Sequence, residues 1–288
     1  MKILFIFLIP LSVSTDNVRM SVVYGMPSST SGSEKVASWN ECMKNCYEQE
    51  DCVLVYLASP TSNCLLFRFG NITSINKLPS SSPQIVAFRT SLSSSTCPDS
   101  SDSALNSQSF SYTSGQSFYN STIISSTSTY LITYSTITCP TNSKLFIRDT
   151  TVICFGVRFF ENFACAVQPN ASALCGESGG MSMTGPANQE EYDYLTSDKK
   201  SKGTGCTFCS SSQTFIWIDG NTVNVTKEFI FEDPTHNGYS NYPLYPGTPR
   251  GTRPGYCFYL VNTIDDYPCD MQGTGGCFIG ALCRIKPI

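Results

Sequence analysis

The residues best suited to hold a ligand lie in NTIDDYPCDMQG, residues 262–273, where the adjacent pair Asp265 and Asp266 precedes Cys269. Neighbouring carboxylates supply the oxygen ligands that calcium prefers. The same pair in an ordinary acidic turn would be solvated, or would pair with Arg250 or Arg253 for roughly 0–1 kcal/mol. The residue types alone leave both interpretations open.

The sequence contains few candidate catalytic residues. His236 is the only histidine, and no nucleophile motif lies near it. A carboxylate pair for glycoside hydrolysis would combine Glu190 or Glu191 with Asp219, and such pairs are common by chance. The glycine-rich GTGGCFIG, residues 273–280, lacks the lysine and the strand-to-helix context of a phosphate-binding loop. We therefore expect neither an enzyme nor a bound cofactor.

The first residues, MKILFIFLIPLSVS, combine an early lysine, a short apolar run and small residues, a pattern typical of a secretory signal peptide at residues 1–15. The apolar run is far shorter than the roughly 20 residues needed to cross a bilayer. No later segment of the sequence is long and apolar enough either. We therefore expect a secreted, extracellular protein without a membrane span.

Fifteen cysteines in an exported chain predict disulfides, and the odd number leaves at least one thiol free or paired between chains. Asn-X-Ser/Thr sequons predict N-glycosylation at Asn71, Asn120, Asn170 and Asn224. The net charge of −4 gives no field that would attract nucleic acid. A chain of 288 residues fits about two domains.

In SWNECMKNCYEQEDC, residues 38–52, apolar residues recur at helical spacing after a capping box at Ser38 and Glu41. Short β-prone runs follow at residues 52–58 and 63–69. The four cysteines of this region allow three pairings, of which the nested pairs Cys42–Cys64 and Cys46–Cys52 are the most compact. A zinc site is the alternative, but one histidine and an oxidising compartment favour disulfides.

This region resembles the PAN-like domain, also called the CW domain. The resemblance rests on SVVYGMP, SWNECMKNCYEQEDCVLVYL, the later Cys64 with LLF, and the closing VAFRT. It covers about residues 20–92, and we place the domain at residues 16–96. PAN-type domains contact proteins or carbohydrates outside the cell, so the resemblance implies binding without catalysis.

Residues 97–138 are rich in serine and threonine, which predicts an extended and O-glycosylated linker. The stretch 121–138 also contains many Thr, Ile and Tyr residues, which favour strands, so an ordered segment is the alternative. Cys97 has no obvious partner and is our candidate for the unpaired thiol. A disulfide-linked homodimer through Cys97 is one outcome of such a thiol.

Residues 139–288 resemble a C-type lectin-like domain. The matching features are CGESGG followed by the text from Met183 to Tyr192, the WIDG of Trp217 to Gly220, and the spaced Cys257, Cys269 and Cys283. The resemblance implies three disulfides, Cys175–Cys283, Cys257–Cys269 and Cys139–Cys154. It leaves Cys165, Cys206, Cys209 and Cys277 as extra cysteines, and for the CxxC of Cys206 and Cys209 we expect a structural bridge to Cys165 or Cys277.

In lectin-like relatives that bind sugar, calcium is held by a Glu-Pro-Asn loop and by a Trp-Asn-Asp tripeptide. Ile264, Asp265 and Asp266 occupy the tripeptide's place, whereas Thr248 and Arg250 replace the loop's carboxylate and amide. A fixed cation about 4 Å from calcium costs about 4 kcal/mol at an effective dielectric near 20. We therefore expect the usual calcium-dependent sugar site to be absent, with Asp265 and Asp266 as the remaining calcium candidates.

The long loop from residue 237 to 256 is rich in Tyr and Arg, which are enriched at binding hot spots. Our candidate ligand-binding residues are Tyr242, Thr248, Arg250, Asp265 and Asp266.

The predicted fold class is α+β: a disulfide-rich PAN-like module and a C-type lectin-like α+β domain at residues 139–288, joined by a Ser/Thr-rich linker. The resemblances imply a secreted recognition protein of the C-type lectin family that binds carbohydrate or glycoprotein, in innate defence. The alternative is a structural component of the extracellular matrix that acts through protein contacts.

Overall fold

The computed structural model describes residues 17–31, 33–36, 38–92, 105–177, 179–206, 214–222, 228–236, 238, 242, 244–248, 255–272 and 276–288. Several residues singled out in the sequence lie outside these ranges. They are the predicted signal peptide at 1–15, Cys97, Cys209, Asn224, Arg250 and Arg253.

The chain forms two compact units. The N-terminal unit contains residues up to 114 together with 119–136, and the C-terminal unit contains 115–118 together with 137–288. The strands that lie wholly or mostly in the N-terminal unit are β1 Asn17–Pro27, β2 Glu34–Val36, β3 Cys52–Leu57, β4 Cys64–Arg68, β5 Ser74–Lys77, β6 Ile85–Leu92, β7 Ser109–Ser114, β8 Ser117–Ser125 and β9 Thr129–Thr138.

Helix α1, Trp39–Glu48, begins where the capping signal predicts. The Ser38 hydroxyl accepts a hydrogen bond from the Glu41 N–H, which satisfies one of the free donors of the first turn. Cys42 and Cys46 are buried one turn apart and face the sheet, whereas Tyr47, expected on the buried face, is exposed.

The sheet of the N-terminal unit closes on itself. Its strands follow the order β1-β5-β9-β8-β7-β6-β3-β4-β2, and β1 also pairs with β6 in antiparallel register from Asn17↔Leu92 to Tyr24↔Ile85. The path from β1 through β5, β9, β8, β7 and β6 therefore returns to β1. Strands β3, β4 and β2 extend the sheet from β6, and α1 lies against them.

The linker predicted at 97–138 differs from the structure in its described part. Residues 109–138 form β7, β8 and β9, and their apolar residues Ile123, Tyr130 and Ile132 belong to the same core as Phe67 and Phe88. Composition misled the prediction because serine and threonine can occupy the outer face of a strand while every second residue packs inward. The strand alternative is the one that holds.

The C-terminal unit is a mixed α+β fold. Its strands are β10 Lys144–Arg148, β11 Thr151–Phe159, β12 Gly180–Met183, β13 Thr214–Thr222, β14 Phe229–Ile230, β15 Tyr256–Leu260, β16 Ile264–Pro268 and β17 Cys277–Ile285. Its α-helices are α2 Gln168–Gly176 and α3 Gln189–Lys202. The sheet order is β10-β11-β17-β13-β15-β16, with β12 beside β17 and β14 beside β13.

The core of the C-terminal unit surrounds β13 and β17. Trp217 is fully buried, stacks on Phe278 at 3.8 Å between ring centroids, and donates from Nε1 to the Ala166 carbonyl at 3.0 Å. The indole thus has a partner for its one polar group. This arrangement fixes the central strand, from which the neighbouring loops extend.

Six disulfides join described cysteines, and they include the five predicted pairs. Cys175–Cys283 ties α2 to β17, and Cys257–Cys269 joins β15 to the residue that follows β16. The sixth is Cys165–Cys277. The expectation that Cys206 or Cys209 would bridge to Cys165 or Cys277 was therefore wrong, because Cys165 and Cys277 pair with each other. Cys206 is itself disulfide-bonded.

In the part of the chain that the structure describes, no helix combines the length and apolar character needed to span a membrane.

Candidate functional site

The carboxylate of Asp265 is held inside the protein by three donors. Its Oδ1 accepts hydrogen bonds from the Thr248 hydroxyl at 2.6 Å and from the Asp266 N–H at 2.9 Å. Its Oδ2 accepts one from the Tyr259 hydroxyl at 3.3 Å. Asp265 lies on β16 and is only 5% exposed. The structure thus brings together Asp265 and Thr248, two of the predicted site residues.

The loop residues before Asp265 are tied to the same strand. Leu244 forms a bridge with Ile264, and the Tyr245 N–H donates to the Ile264 carbonyl at 2.8 Å. The backbone of Thr248 is in turn bonded to Tyr245. The Thr248–Asp265 contact therefore fastens the described part of the long loop to β16.

The remaining predicted residues have other positions. Asp266 is 1% exposed on β16, so the interpretation of the pair as a solvated acidic turn is wrong: the pair lies in a buried strand that is hydrogen-bonded to β15. Tyr242 is buried and stacks with Tyr192, at 6.2 Å between ring centroids. It is therefore a packing residue rather than an exposed contact. Arg250 lies outside the described residues.

The described residues at this position do not fit a resident calcium ion. Calcium takes six to eight oxygen ligands, and three protein donors occupy three of the about four lone-pair sites of the Asp265 carboxylate. Thr248 contributes a donating hydroxyl where a carboxylate would be needed. Among the described residues, no cluster of three or more His, Cys, Asp or Glu side chains could hold a metal ion.

Sequence reasoning missed a buried ionic network around Arg148. Its guanidinium forms two hydrogen bonds to Glu191, from Nη2 to Oε2 at 2.7 Å and from Nε to Oε1 at 3.1 Å. It also donates to Asp233 at 3.3 Å, and Arg284 donates to the other oxygen of Asp233 at 2.9 Å. Arg148, Glu191 and Asp233 are all buried. The contacts join residues 43 and 85 positions apart, which no local pattern signals.

Asp233 stays ionised within this network. Burial pushes its pKa upward, but hydrogen bonds from Thr184 and from Thr235, together with the charge of Arg284, hold the pKa below its usual value. Two arginines thus face two carboxylates, which leaves the network close to neutral. Buried charges persist when they are paired and hydrogen-bonded in this way.

Of the residues that enzyme chemistry would have used, His236, Asp219 and Glu191 are part of this interior, whereas Glu190 is exposed and pairs with Lys144. His236 is 1% exposed and packs edge-on against Phe231. Asp219 accepts hydrogen bonds from the backbone N–H groups of Glu232 and Asp233, and Glu191 is paired with Arg148. These carboxylates therefore hold the loop and the helix in place.

Three of the four predicted glycosylation sites are described. Asn71 and Asn170 are exposed, and Asn120 is half-buried on β8, where its amide donates to the Thr122 hydroxyl at 3.2 Å. Asn71 and Asn170 are therefore the more accessible of the three.

A pocket of about 800 Å³ lies in the C-terminal unit, with an apolar floor that includes Val157, Phe159 and Ile285 and with cations at its edge. Lys202 directs its ammonium to Asp198 at 2.8 Å and to two carbonyls. Arg158 donates to the Glu177 carbonyl at 2.6 Å. These charges are engaged by the protein, which weakens the pocket as an anion site.

A second pocket, of about 540 Å³, lies in the N-terminal unit. We name it the tyrosine pocket. Its lining combines carboxylates, an amide and aromatic rings and consists of Gln49, Glu50, Asp51, Phe69, Tyr112, Ser114 and Tyr119. No local sequence pattern signals this pocket, because its residues come from segments that are distant in the sequence.

Comparison with known proteins found one family model and one solved structure that are similar to parts of this chain. Residues 20–90 match the family model of the PAN-like domain. No curated protein matches the chain. Among solved structures the chain is similar to human lithostathine, at 17% identity and a TM-score of 0.38, over 52% of this chain and 91% of that one.

The PAN-like prediction is confirmed by the family model. In the C-terminal unit, the bridges from α2 to β17 and from β15 to the end of β16 are those that the C-type lectin-like resemblance implied. The chain thus contains a PAN-like domain at residues 20–90, and its C-terminal unit carries the two bridges Cys175–Cys283 and Cys257–Cys269.

Proposed function

We propose that this chain is a secreted recognition protein of the C-type lectin family, which binds carbohydrate or glycoprotein ligands outside the cell without a calcium-dependent sugar site. Recognition of microbial surface glycans in innate defence is the role that we expect. The observation that carries the proposal is the PAN-like domain at residues 20–90, a module that contacts proteins or carbohydrates.

The disulfides support an extracellular location. Six described bridges require an oxidising compartment, since cytosolic thiols are kept reduced. They brace both units and so favour a preformed binding surface, which lowers the entropy cost of association.

Calcium independence follows from the environment of Asp265. A metal at this position would have to displace the Thr248 and Tyr259 hydroxyls from the carboxylate. The structure favours retention of these bonds, because each also fixes a neighbouring segment. Ligand binding is therefore expected to persist when divalent cations are removed.

A glycan array tests this proposal. The secreted protein is applied with calcium and with a chelator, beside Asp265→Asn and a matched control, Asp270→Asn, which changes an exposed aspartate of the next turn. We expect wild-type binding to be equal under both conditions. Loss of binding on chelation, reproduced by Asp265→Asn alone, would contradict calcium independence.

The alternative function is a matrix component that acts through protein contacts without sugar specificity. It predicts no bound glycan on the array together with retention of the protein on extracellular matrix preparations. Retention that a soluble glycan displaces would favour the recognition role instead.

The absence of enzymatic activity stays a prediction. It is supported by the engagement of Glu191 with Arg148 and of Asp219 with backbone N–H groups, which leaves these acids without a free oxygen aimed at a cleft. Hydrolysis of a glycoside by the purified protein, abolished in Glu191→Gln or Asp219→Asn, would overturn it.

A further inference from the structure

The tyrosine pocket joins two parts of the sequence that the family model separates. Gln49, Glu50, Asp51 and Phe69 belong to the PAN-like domain, whereas Tyr112, Ser114 and Tyr119 come from β7 and β8, beyond residue 90. The pocket therefore exists only because the Ser/Thr-rich strands complete the sheet of this unit.

Its aromatic wall is preorganised. The rings of Tyr112 and Tyr119 are stacked at 4.8 Å with an angle of 9° between their planes. Phe69 packs edge-on against both, at 6.0 Å from Tyr112 and 5.3 Å from Tyr119. Aromatic side chains of this kind present a large rigid face at low entropy cost.

The polar side of the pocket is rich in acceptors. Nη1 of Arg68 donates to both oxygens of Asp51, at 2.9 and 3.1 Å, which orients the carboxylate. A carboxylate offers about four lone-pair sites, so others remain for a ligand. The Oε1 of Gln49 is buried and accepts no hydrogen bond among the described residues. A buried acceptor that lacks a hydrogen-bond donor favours a ligand that carries hydroxyl groups.

The charges around the pocket decide the class of ligand. Glu50 and Asp51 are opposed by Arg68, which pairs with Asp51, and by Arg89, whose guanidinium interacts with both acids. Because the two acids and the two arginines balance in charge, the pocket has little net attraction for a cationic ligand. The carboxylates, but neither arginine, line the pocket, so an anionic ligand would meet like charge.

Tyr112 contributes a hydroxyl that stays protonated. Burial raises its pKa to about 12, with further contributions from Asp51, Tyr119 and Glu50. The side chain can therefore donate a hydrogen bond at any physiological pH while its ring forms part of the wall.

We propose that the tyrosine pocket binds one neutral pyranose ring of a glycan. Its apolar C–H face lies on the outer face of the Tyr119 ring, whose other face is covered by Tyr112, and its hydroxyls donate to Asp51 and Glu50. This inference rests on the proposed function and assigns its sugar contact to the N-terminal unit. The pocket's volume of about 540 Å³ leaves room for a ring and its glycosidic oxygen. It also uses no metal ion.

Ligand-observed NMR on the full secreted chain tests the site, with methyl α- and β-glycosides of glucose, galactose and mannose as probes. Asp51→Asn keeps the shape of the side chain and removes its charge, and Tyr119→Ser removes one ring. We expect each to weaken binding by about tenfold or more, as for loss of charge-assisted hydrogen bonds or of an aromatic platform. Tyr119→Phe retains the ring and should retain most of the binding.

The matched control is Glu48→Gln, an exposed acid at the end of α1 that does not line the pocket. It should leave the affinity unchanged. Near-ultraviolet circular dichroism identifies any variant that fails to fold. If Tyr119→Ser fails to fold, the affinity of Asp51→Asn decides whether the pocket is the binding site.

The outcomes separate this site from the proposed function. Glycoside binding that survives in Asp51→Asn and in folded Tyr119→Ser overturns the site and leaves the lectin function standing. No binding of any glycoside or arrayed glycan by the wild type overturns both. Choline or N-acetylneuraminic acid displacing the methyl glycosides with higher affinity overturns the neutral-sugar assignment.

Discussion

Arg148 and Glu191 form a buried ion pair in which both carboxylate oxygens are engaged, at 2.7 and 3.1 Å from two nitrogens of the guanidinium. The Arg148 side chain is 5% exposed and that of Glu191 is fully buried. The pair joins the end of β10 to the first turn of α3. It also connects to Asp233, so that a strand, a helix and a loop share one charged contact.

Arg148→Ala should destabilise the C-terminal unit by about 3–5 kcal/mol, because it leaves Glu191 with an uncompensated buried charge. The measurement is urea unfolding followed by Trp217 fluorescence in a Trp39→Phe background, which leaves one tryptophan. Lys144→Ala is the control: its ion pair with Glu190 is exposed and should contribute about 1 kcal/mol or less. Equal effects of the two substitutions would refute the network's role.

Tyr130→Ala should destabilise the N-terminal unit by about 3–5 kcal/mol, since its ring is 1% exposed and contacts Phe88 in the shared core. Leu131 is the next residue on β9 but is 44% exposed, so Leu131→Ala should change stability by about 0.5 kcal/mol or less. Trp39 fluorescence in a Trp217→Phe background reports this unit. A flexible linker would make both changes neutral.

Lys199 gives the C-terminal unit a specific pH dependence. Burial lowers the pKa of its ammonium to about 8 from 10.5. At a pH between these two pKa values, the unfolded chain binds more protons than the folded one. Lys199 therefore makes the free energy of unfolding rise with pH in this range. Relative to Lys199→Met, the wild type should gain about 1–2 kcal/mol between pH 7 and pH 9.5. Lys200→Met changes an exposed neighbour, so its stability should vary with pH as that of the wild type does. If the stability of Lys199→Met also varied with pH in parallel with the wild type, this explanation would be excluded.

The Cys165–Cys277 bridge is open to direct mapping. A non-reducing digest should yield one peptide pair that contains these two cysteines, in addition to the five predicted pairs. Replacing both by serine should cost about 2–5 kcal/mol of stability. Peptides that join Cys165 to Cys206 or Cys209 would support the earlier expectation against the structure.

Covalent dimerisation through Cys97 remains a sequence-based prediction. The wild type should contain a dimer on a non-reducing gel that collapses with reductant and fails to form in Cys97→Ser. Cys206→Ser frees the disulfide partner of Cys206 and so tests whether any unpaired thiol is sufficient for dimerisation. A dimer that persists in Cys97→Ser would assign the contact to another cysteine.

The sequence was most informative where the determinants are local. Ser38, Glu41 and the helical spacing of Cys42 and Cys46 lie within ten residues, and the helix forms there. The nested disulfides follow because α1 and the hairpin leave few compact pairings. Signals of this kind need no knowledge of distant contacts.

It was least informative where distant segments meet. Asp265 looked solvated because nothing nearby in the sequence shows that Thr248 and Tyr259 surround its carboxylate. Arg148 looked like an ordinary strand end, since its hydrogen-bond partners lie 36 or more residues away. The tyrosine pocket depends on the pairing of β7, β8 and β9 with the PAN-like strands, which composition concealed.

The closed path of strands in the N-terminal unit has a consequence for how this protein is divided. A fragment cut at the family boundary, residue 90, would leave β5 without β9, so the backbone N–H and C=O groups of Ser74–Asn76 that face β9 would lose their partners. Such unpaired edges are templates for sheet growth between molecules. The hydroxyl-rich strands therefore cover a sheet edge that the PAN-like domain alone would expose.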